Sequence, residues 1–399
     1  MENRFFHLVN GYIQHIINGF SYRDQNTWVF GEWFGDKCCD NSFYLANYIA
    51  REHPNINIFW ISKAGVDTSG LHKTISVVEM DSEQSIKVLK SSSVAIMNQG
   101  FIDFSSKGTD YFRNCITLNL WHGLMWKKIN MDIRKQGTFA KIFHKLSSRV
   151  ESANYYLVSS KEVGKHIHTA FLKNEKSFVF AGYPRNTVFY NRQLIDIYRS
   201  KLYSILNLPV NSKIITYMPT FRDNTDYVFS FMELIHDNEL NALLKQYNAF
   251  IVEKSHFISS ERFGNKSVGD NNTNIRVIND IGATELLAAT DILITDYSSC
   301  FFDFLILDRP IIHYIYDYDY YVNSDRGVYY TKEEIACGKI PQTKSELLKA
   351  IEEYLVNPDL DHDLRLKQRN LFWEYDSEDS CERIYHSIRK IQGLEGDSK

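Results

Sequence analysis

Hydroxyls, carboxylates and basic side chains recur in this chain at one kind of place, just after short apolar runs. The densest case is TDYSSCFFDF, Thr295 to Phe304. Asp291 to Thr295 reads as a buried strand and Ser299 onward as a helix. Thr295 and Asp296 then close the strand, and Ser298 and Ser299 open the helix, where free N–H groups and the positive dipole end favour an anion. Asp303 shares a helical face with Ser299 and can accept bonds from a ligand's hydroxyls. A plain serine N-cap is the alternative. In LNLWHGLMWKK (118–128), His122 follows a strand and precedes Gly123. A histidine there suits a general base near neutral pH, and glycine lets a ligand approach the backbone; a core histidine is the alternative. In YMPTFRD (217–223), Pro219 and Thr220 break a strand, and Arg222 offers a fork for phosphate or a salt bridge to Asp223. IVEKSH places Lys254 and His256 past another strand, and GYPRN carries Arg185.

The elements that must position these residues alternate. Strand-like runs are TWVF (27–30), NIFWI (57–61), SVAIM (93–97), CITLNL (115–120), YYLVSS (155–160) and FVFAG (178–182), then KIITYM (213–218), AFIVEK (249–254), IRVI (275–278), DILIT (291–295) and PIIHYI (310–315). Helical stretches such as Ser42–His53 and Lys161–Leu172 lie between them. This alternation predicts an α/β fold of two doubly wound, Rossmann-like domains with parallel sheets. The expected boundaries are 1–184, 185–375 and a C-terminal helix at 376–399 that crosses back to the first domain, with punctuation at Gly182-Tyr183-Pro184. Ligands of open α/β sheets bind beyond the carboxyl ends of the strands, where the unusual residues cluster.

The 399 residues carry a formal charge of −4, so the surface as a whole does not attract nucleic acid. Six cysteines without C-x-x-C spacing argue against zinc and disulfide frameworks and fit a reducing cytoplasm. No signal peptide opens the chain and no apolar run spans a bilayer, so membrane contact is expected to be peripheral. Two stretches suit such contact. Residues 1–20 carry a helical apolar stripe that reads as a docking or interfacial helix. Trp126 to Arg149 holds seven Lys/Arg against Asp132 alone, as expected of contact with anionic lipid or polymer. No metal or cofactor is expected. Asp317-Tyr318-Asp319 has D-x-D spacing but sits in a Tyr/Asp-rich run.

Together, WHG-x-x-x-K, GYPRN, PTFRD, K-x-H and TDYSS-x-FFDF followed by RPI resemble, in that order, the CDP-glycerol glycerophosphotransferases of teichoic acid and capsule synthesis. GDKCCDNSFYLANYI (35–49), RPIIHYIYDYDYY (309–321), RGVYY (326–330) and DSEDSCERI (376–384) add to the likeness, which covers roughly residues 28–390. The resemblance implies a GT-B-like fold, two domains facing a central cleft, and transfer of glycerol or ribitol phosphate from a CDP-alditol to a hydroxyl of a glycan, lipid-linked or polyol-phosphate acceptor. It makes His122 the base and His256 the group that stabilises the leaving diphosphate side. Gly123, Arg185, Pro219, Thr220, Ser298, Ser299 and Asp303 would line the CDP-alditol site, joined by Arg222, Lys254, Thr295 and Asp296. The chain departs from the family pattern at Leu124-Met125 (usually Thr-Pro), Phe257 (usually Pro) and Thr187 (usually Asp). These changes bear on donor and acceptor identity. A UDP-sugar glycosyltransferase and a non-catalytic nucleotide-binding subunit are the competing readings.

Overall fold

The computed structural model describes residues 13, 16, 21–106, 111–133, 152–220, 229–254, 273–279, 281–318 and 327–395. The N-terminal stripe, apart from Ile13 and Ile16, and most of the basic stretch lie outside these residues.

The chain divides into two units. The first takes Met1–Leu124, Lys128–Thr187 and Trp373–Lys399; the second takes Met125–Lys127 and Val188–Phe372. The first holds a seven-stranded sheet made of β1 (Asp24–Phe30), β2 (Asn57–Ser62), β3 (Ser76–Glu79), β4 (Ser92–Met97), β5 (Ile116–Asn119), β6 (Tyr155–Val158) and β7 (Phe178–Phe180). All neighbouring pairs are parallel, in the order β3-β2-β1-β4-β5-β6-β7. Trp28, Val29, Phe30 and Val94 to Met97 are fully buried, as central parallel strands covered on both faces require. Strand β3 was not evident in the sequence, because it is an edge strand with Val78 its one buried residue.

The helices α1 (Asn41–Glu52), α2 (Glu83–Ser91) and α3 (Lys161–Phe171) start at Asp40, Ser82 and Ser160, whose side chains accept the backbone N–H of Asn41, Ser85 and Val163. Asp40 thus caps the first long helix after β1.

The second unit holds β8 (Lys213–Met218), β9 (Ala249–Lys254), β10 (Ile275–Ile278), β11 (Ile292–Thr295) and β12 (Ile311–His313), parallel in the order β10-β9-β8-β11-β12. Its helices include α4 (Arg192–Leu206), α5 (Asn238–Gln246), α6 (Ala283–Ala289), α7 (Cys300–Phe304), α8 (Lys344–Val356) and α9 (His362–Phe372). Leu240, Leu244, Leu347 and Ile351 pack on Ile215, Ile251, Ile294 and Ile312 of the sheet. Both sheets reverse their strand order once, at β1/β4 in the first and at β8/β11 in the second. Those reversals are where an open α/β sheet leaves a crevice for a ligand.

The last helix, α10 (Ser380–Ile391), returns to the first unit, burying Cys381, Ile384, Tyr385 and Ile388. The approach to it is tight. A Cβ on Gly182 would lie 1.7 Å from Asp376 Oδ1, so only glycine fits beneath the returning chain. Gly182→Ala is therefore expected to destabilise the protein by about 1–3 kcal/mol, the range for overpacking. Thermal unfolding should show a lower Tm that Asp376→Ala partly restores. An unchanged Tm for Gly182→Ala would mean that the C-terminal segment packs less closely than described. No helix among the described residues is long and apolar enough to cross a membrane.

Candidate active site

The first unit gathers its polar residues at the β1/β4 reversal and the adjoining end of β5. His122 and Gly123 follow β5. The His122 ring lies near two indoles, with its centroid 4.7 Å from Trp121 and 5.6 Å from Trp33. Burial holds its pKa below the ordinary value; the Asp40 carboxylate and the Asn98 carbonyl oppose this, and Arg185 adds to it. The neutral imidazole is thus favoured at neutral pH. Its Nδ1 is buried without a hydrogen bond of normal geometry among the described residues.

Arg185 ties this cluster together from residues far apart in the chain. Its Nη1 donates to Asp40 Oδ1 at 2.5 Å and to the His122 carbonyl at 3.0 Å. The backbone N–H of Arg185 donates to Asn41 Oδ1 (3.2 Å), and Asn41 Nδ2 donates to the Trp121 carbonyl (3.0 Å). Both residues of the ion pair are nearly buried, with side chains 9% and 8% exposed. Backbone on either side of the imidazole is therefore held by α1 and by Arg185.

Four residues given no role in the sequence reading complete the cluster. Glu32, just past β1, accepts the backbone N–H groups of Cys39, Asp40 and Phe43 at the start of α1 and the Asn98 side chain at 3.4 Å. Burial, then the Asp40 charge, pushes its carboxyl well above the usual range, against those three N–H bonds. Asp103 accepts the N–H groups of Asn98, Gln99 and Gly100 past β4 and that of Phe34 past β1. The signal that could have singled out Glu32 and Asn98 is the strand-end position that identified His122. Asp40 and Asp103 carry no such mark.

The second unit does the same at β8/β11. Thr295 Oγ1 donates to the Met218 carbonyl (2.7 Å), which locks the two strand ends together. Asp296, fully buried, accepts the N–H of Thr220 at 2.8 Å and of Tyr297 at 2.6 Å. Pro219-Thr220 and Asp296-Tyr297 therefore face each other across the reversal. Ser298 and Ser299 are half-buried at the start of α7. Ser299 occupies the N-cap position but makes no side-chain cap bond. The simple capping role is thus not what its hydroxyl does. Cys300 N–H approaches Ser298 Oγ at 3.5 Å, and Asp303 is 5% exposed. Lys254, at the end of β9, donates to the carbonyls of Ile281 (2.6 Å) and Asn279 (3.3 Å). Its neighbour Glu253 accepts from Ser230 and from the Phe231 N–H, and burial pushes its carboxyl up to about 7. Arg222, His256 and Asp319 lie outside the described residues. Among those described, Trp126 of the second unit packs on Tyr297 with ring centroids 5.5 Å apart and donates its indole N–H to the Tyr330 carbonyl (2.8 Å). Tyr297 Oη donates to Asp317 (3.0 Å). No group of three or more His, Cys, Asp or Glu side chains among the described residues is arranged to hold a metal ion.

Two doubly wound parallel-sheet units, each with its polar residues at the strand-order reversal, define a GT-B-like α/β protein. The solved wall teichoic acid polymerase TagF has the same fold, with a TM-score of 0.78 at 24% identity over 99% of this chain and 100% of that one. The chain belongs to the CDP-Glycerol:Poly(glycerophosphate) glycerophosphotransferase family, whose profile matches residues 14–390. It is similar to the teichoic acid poly(glycerol phosphate) polymerase of Bacillus subtilis (strain 168), 27% identical over 344 residues, 84% of this chain and 44% of that protein. It is also similar to the teichoic acid glycerol-phosphate transferase of Staphylococcus aureus (strain NCTC 8325 / PS 47), 25% identical over 339 residues, 83% of this chain and 84% of that one. The chain thus spans less than half of the polymerase's length.

Proposed function

We propose that the protein transfers glycerol phosphate, or ribitol phosphate, from a CDP-alditol to a hydroxyl of a glycan or polyol-phosphate acceptor. The observation that carries this reading is family membership over nearly the whole chain. A relative named as a glycerol-phosphate transferase and one named as a poly(ribitol-phosphate) polymerase support both alditols.

In the proposed reaction His122 takes the proton of the acceptor hydroxyl. The acceptor oxygen bonds to the phosphorus that carries the alditol, the bond from that phosphorus to the CMP oxygen breaks, and CMP leaves with the electron pair. Phosphoryl transfer of this kind asks mainly for positioning and charge stabilisation. The second unit would bind the CDP-alditol. The proposed donor contacts are Pro219, Thr220, Arg222, Lys254, Ser298, Ser299 and Asp303, with His256 offsetting charge on the leaving side; Thr295 and Asp296, fully buried, would hold these loops in place. The first unit would serve the acceptor, with Gly123 leaving room beside the base. For Arg185, committed to Asp40 and to the His122 carbonyl, we propose that it positions His122 and does not line the donor site.

The test is CMP release by purified protein given CDP-glycerol, CDP-ribitol or UDP-sugars, with product mass read for each acceptor. Acceptor-dependent CMP release supports the reading. Nucleotide release from a UDP-sugar alone overturns it, and CDP-glycerol binding without turnover on any acceptor would leave a binding subunit.

Ser298→Ala with Ser299→Ala is expected to weaken donor binding by about 1–3 kcal/mol, as for lost hydrogen bonds to a charged group. Calorimetry with CDP-glycerol and CMP would measure it, and an unchanged affinity would remove both hydroxyls from the donor site. We also propose that the basic stretch 126–149 meets an anionic lipid or polymer surface. Lys141→Glu, Lys145→Glu and Arg149→Glu together should release the protein from anionic vesicles, less so as salt rises. Equal vesicle binding by the variant would remove the idea.

A further inference from the structure

We propose that the loop Trp33–Lys37 of the first unit is the subsite for the acceptor's terminal polyol-phosphate unit, a proposal that rests on His122 serving the acceptor hydroxyl. The loop begins with three residues in the left-handed region, Trp33 (φ 48°), Phe34 (φ 60°) and Gly35 (φ 75°). Glycine reaches that region without cost; bulky side chains do so only when their surroundings hold them there. Here the surroundings are explicit. The Phe34 N–H donates to Asp103 Oδ1 at 2.8 Å, the Trp33 indole N–H donates to Asp40 Oδ2 at 2.8 Å, and the Lys63 N–H donates to the Gly35 carbonyl at 2.9 Å. A Cβ on Gly35 would lie 2.3 Å from Met80 Cε, so the loop sits hard against its support.

That pinning holds the half-buried Trp33 ring beside the base and leaves Phe34 and Lys37 exposed. Phe34 is 40% exposed, although a large apolar side chain gains free energy from burial. The Lys37 ammonium lies 4.9 Å from the Trp33 ring centroid, and the His122 ring lies 5.6 Å from the same indole. The neighbouring charges are otherwise engaged: Lys63 pairs with Asp36 at 2.8 Å and Arg185 with Asp40 at 2.5 Å. Lys37 makes no ion pair among the described residues. A cation and a base thus both lie close to one indole, and the residue after it carries an exposed ring.

That chemistry suits the end of a phosphodiester-linked polyol chain. The Lys37 ammonium takes the phosphate that precedes the terminal unit. The C–H face of the polyol lies on the Phe34 and Trp33 rings. The terminal hydroxyl then reaches His122. An uncharged sugar end would use the rings but not Lys37.

The experiment uses the full chain, a synthetic glycerol-phosphate trimer and an uncharged glycan of similar length. Binding of each to wild type, Phe34→Ala and Lys37→Gln is measured by calorimetry without donor, and acceptor KM is measured where turnover occurs. Phe34→Ala should weaken trimer binding about tenfold, and Lys37→Gln should do so for the trimer alone. CDP-glycerol affinity should change less than about twofold in either variant. Trimer binding that is absent in wild type, or unchanged in both variants, overturns the proposal even if CMP is released. Loss of CDP-glycerol affinity equal to loss of trimer affinity overturns it too. Specific trimer binding with no turnover on any donor supports the subsite while it counts against the transferase reading.

Discussion

Replacing His122 with alanine is expected to slow turnover by about 10²–10⁴, the usual worth of a positioned acid or base, while CDP-glycerol affinity changes by less than about tenfold. The ring sits past β5, beside Trp33 and Trp121, and burial lowers its pKa below the ordinary histidine value of about 6.5. The sign follows from that direction. The base form is favoured at neutral pH, so kcat/KM should not rise from neutral to alkaline pH and should fall on acidification. Protonating a buried imidazole also costs folding free energy, so stability falls through the same acid range. CMP-release rates across pH and calorimetry with the donor read these separately. A variant that keeps near wild-type kcat would remove His122 from proton transfer. A rate that rises steadily from neutral to alkaline pH would mean that some other group is the base.

Arg185→Met carries the second large effect. Its guanidinium is the partner of a nearly buried carboxylate, Asp40, and a donor to the His122 carbonyl. Removing one member of a buried pair leaves an uncompensated charge, which costs about 3–5 kcal/mol. Chemical denaturation should show a loss of that size, with turnover falling beyond what the unfolded fraction explains. The double variant Asp40→Asn with Arg185→Met removes the stranded charge and should regain much of the stability. It should not regain turnover, because the carbonyl of His122 still lacks its donor. Recovery of both together would reduce Arg185 to a structural partner of Asp40. Arg185→Lys, which keeps the charge but loses the rigid guanidinium whose Nη1 donates to both acceptors, should fall between wild type and Arg185→Met in both measurements.

Much of the secondary structure was legible in the residues. The central strands are buried on both faces, so they read as apolar runs, and each of the eleven runs read in the sequence overlaps a strand, several extending past its end. Edge strand β3 buries Val78 alone and left no comparable signal. The positions of His122, Thr220 and Asp296 were legible for a second reason: a polar residue within two positions of such a run's end stands at a strand's carboxyl end whatever the topology. Which ends meet was decided only by the tertiary structure. Strand order placed β1 beside β4 and β8 beside β11, and nothing in chain order states this. Asp40 and Arg185 are 145 residues apart, and each alone is an ordinary helix start or a residue after proline. Gly182 is required only because Asp376, from the far end of the chain, returns onto it. Periodicity reports burial, a property each residue carries locally. Pairing of buried charges and close backbone approach are properties of two distant segments at once, and they exist only after the sheets have assembled.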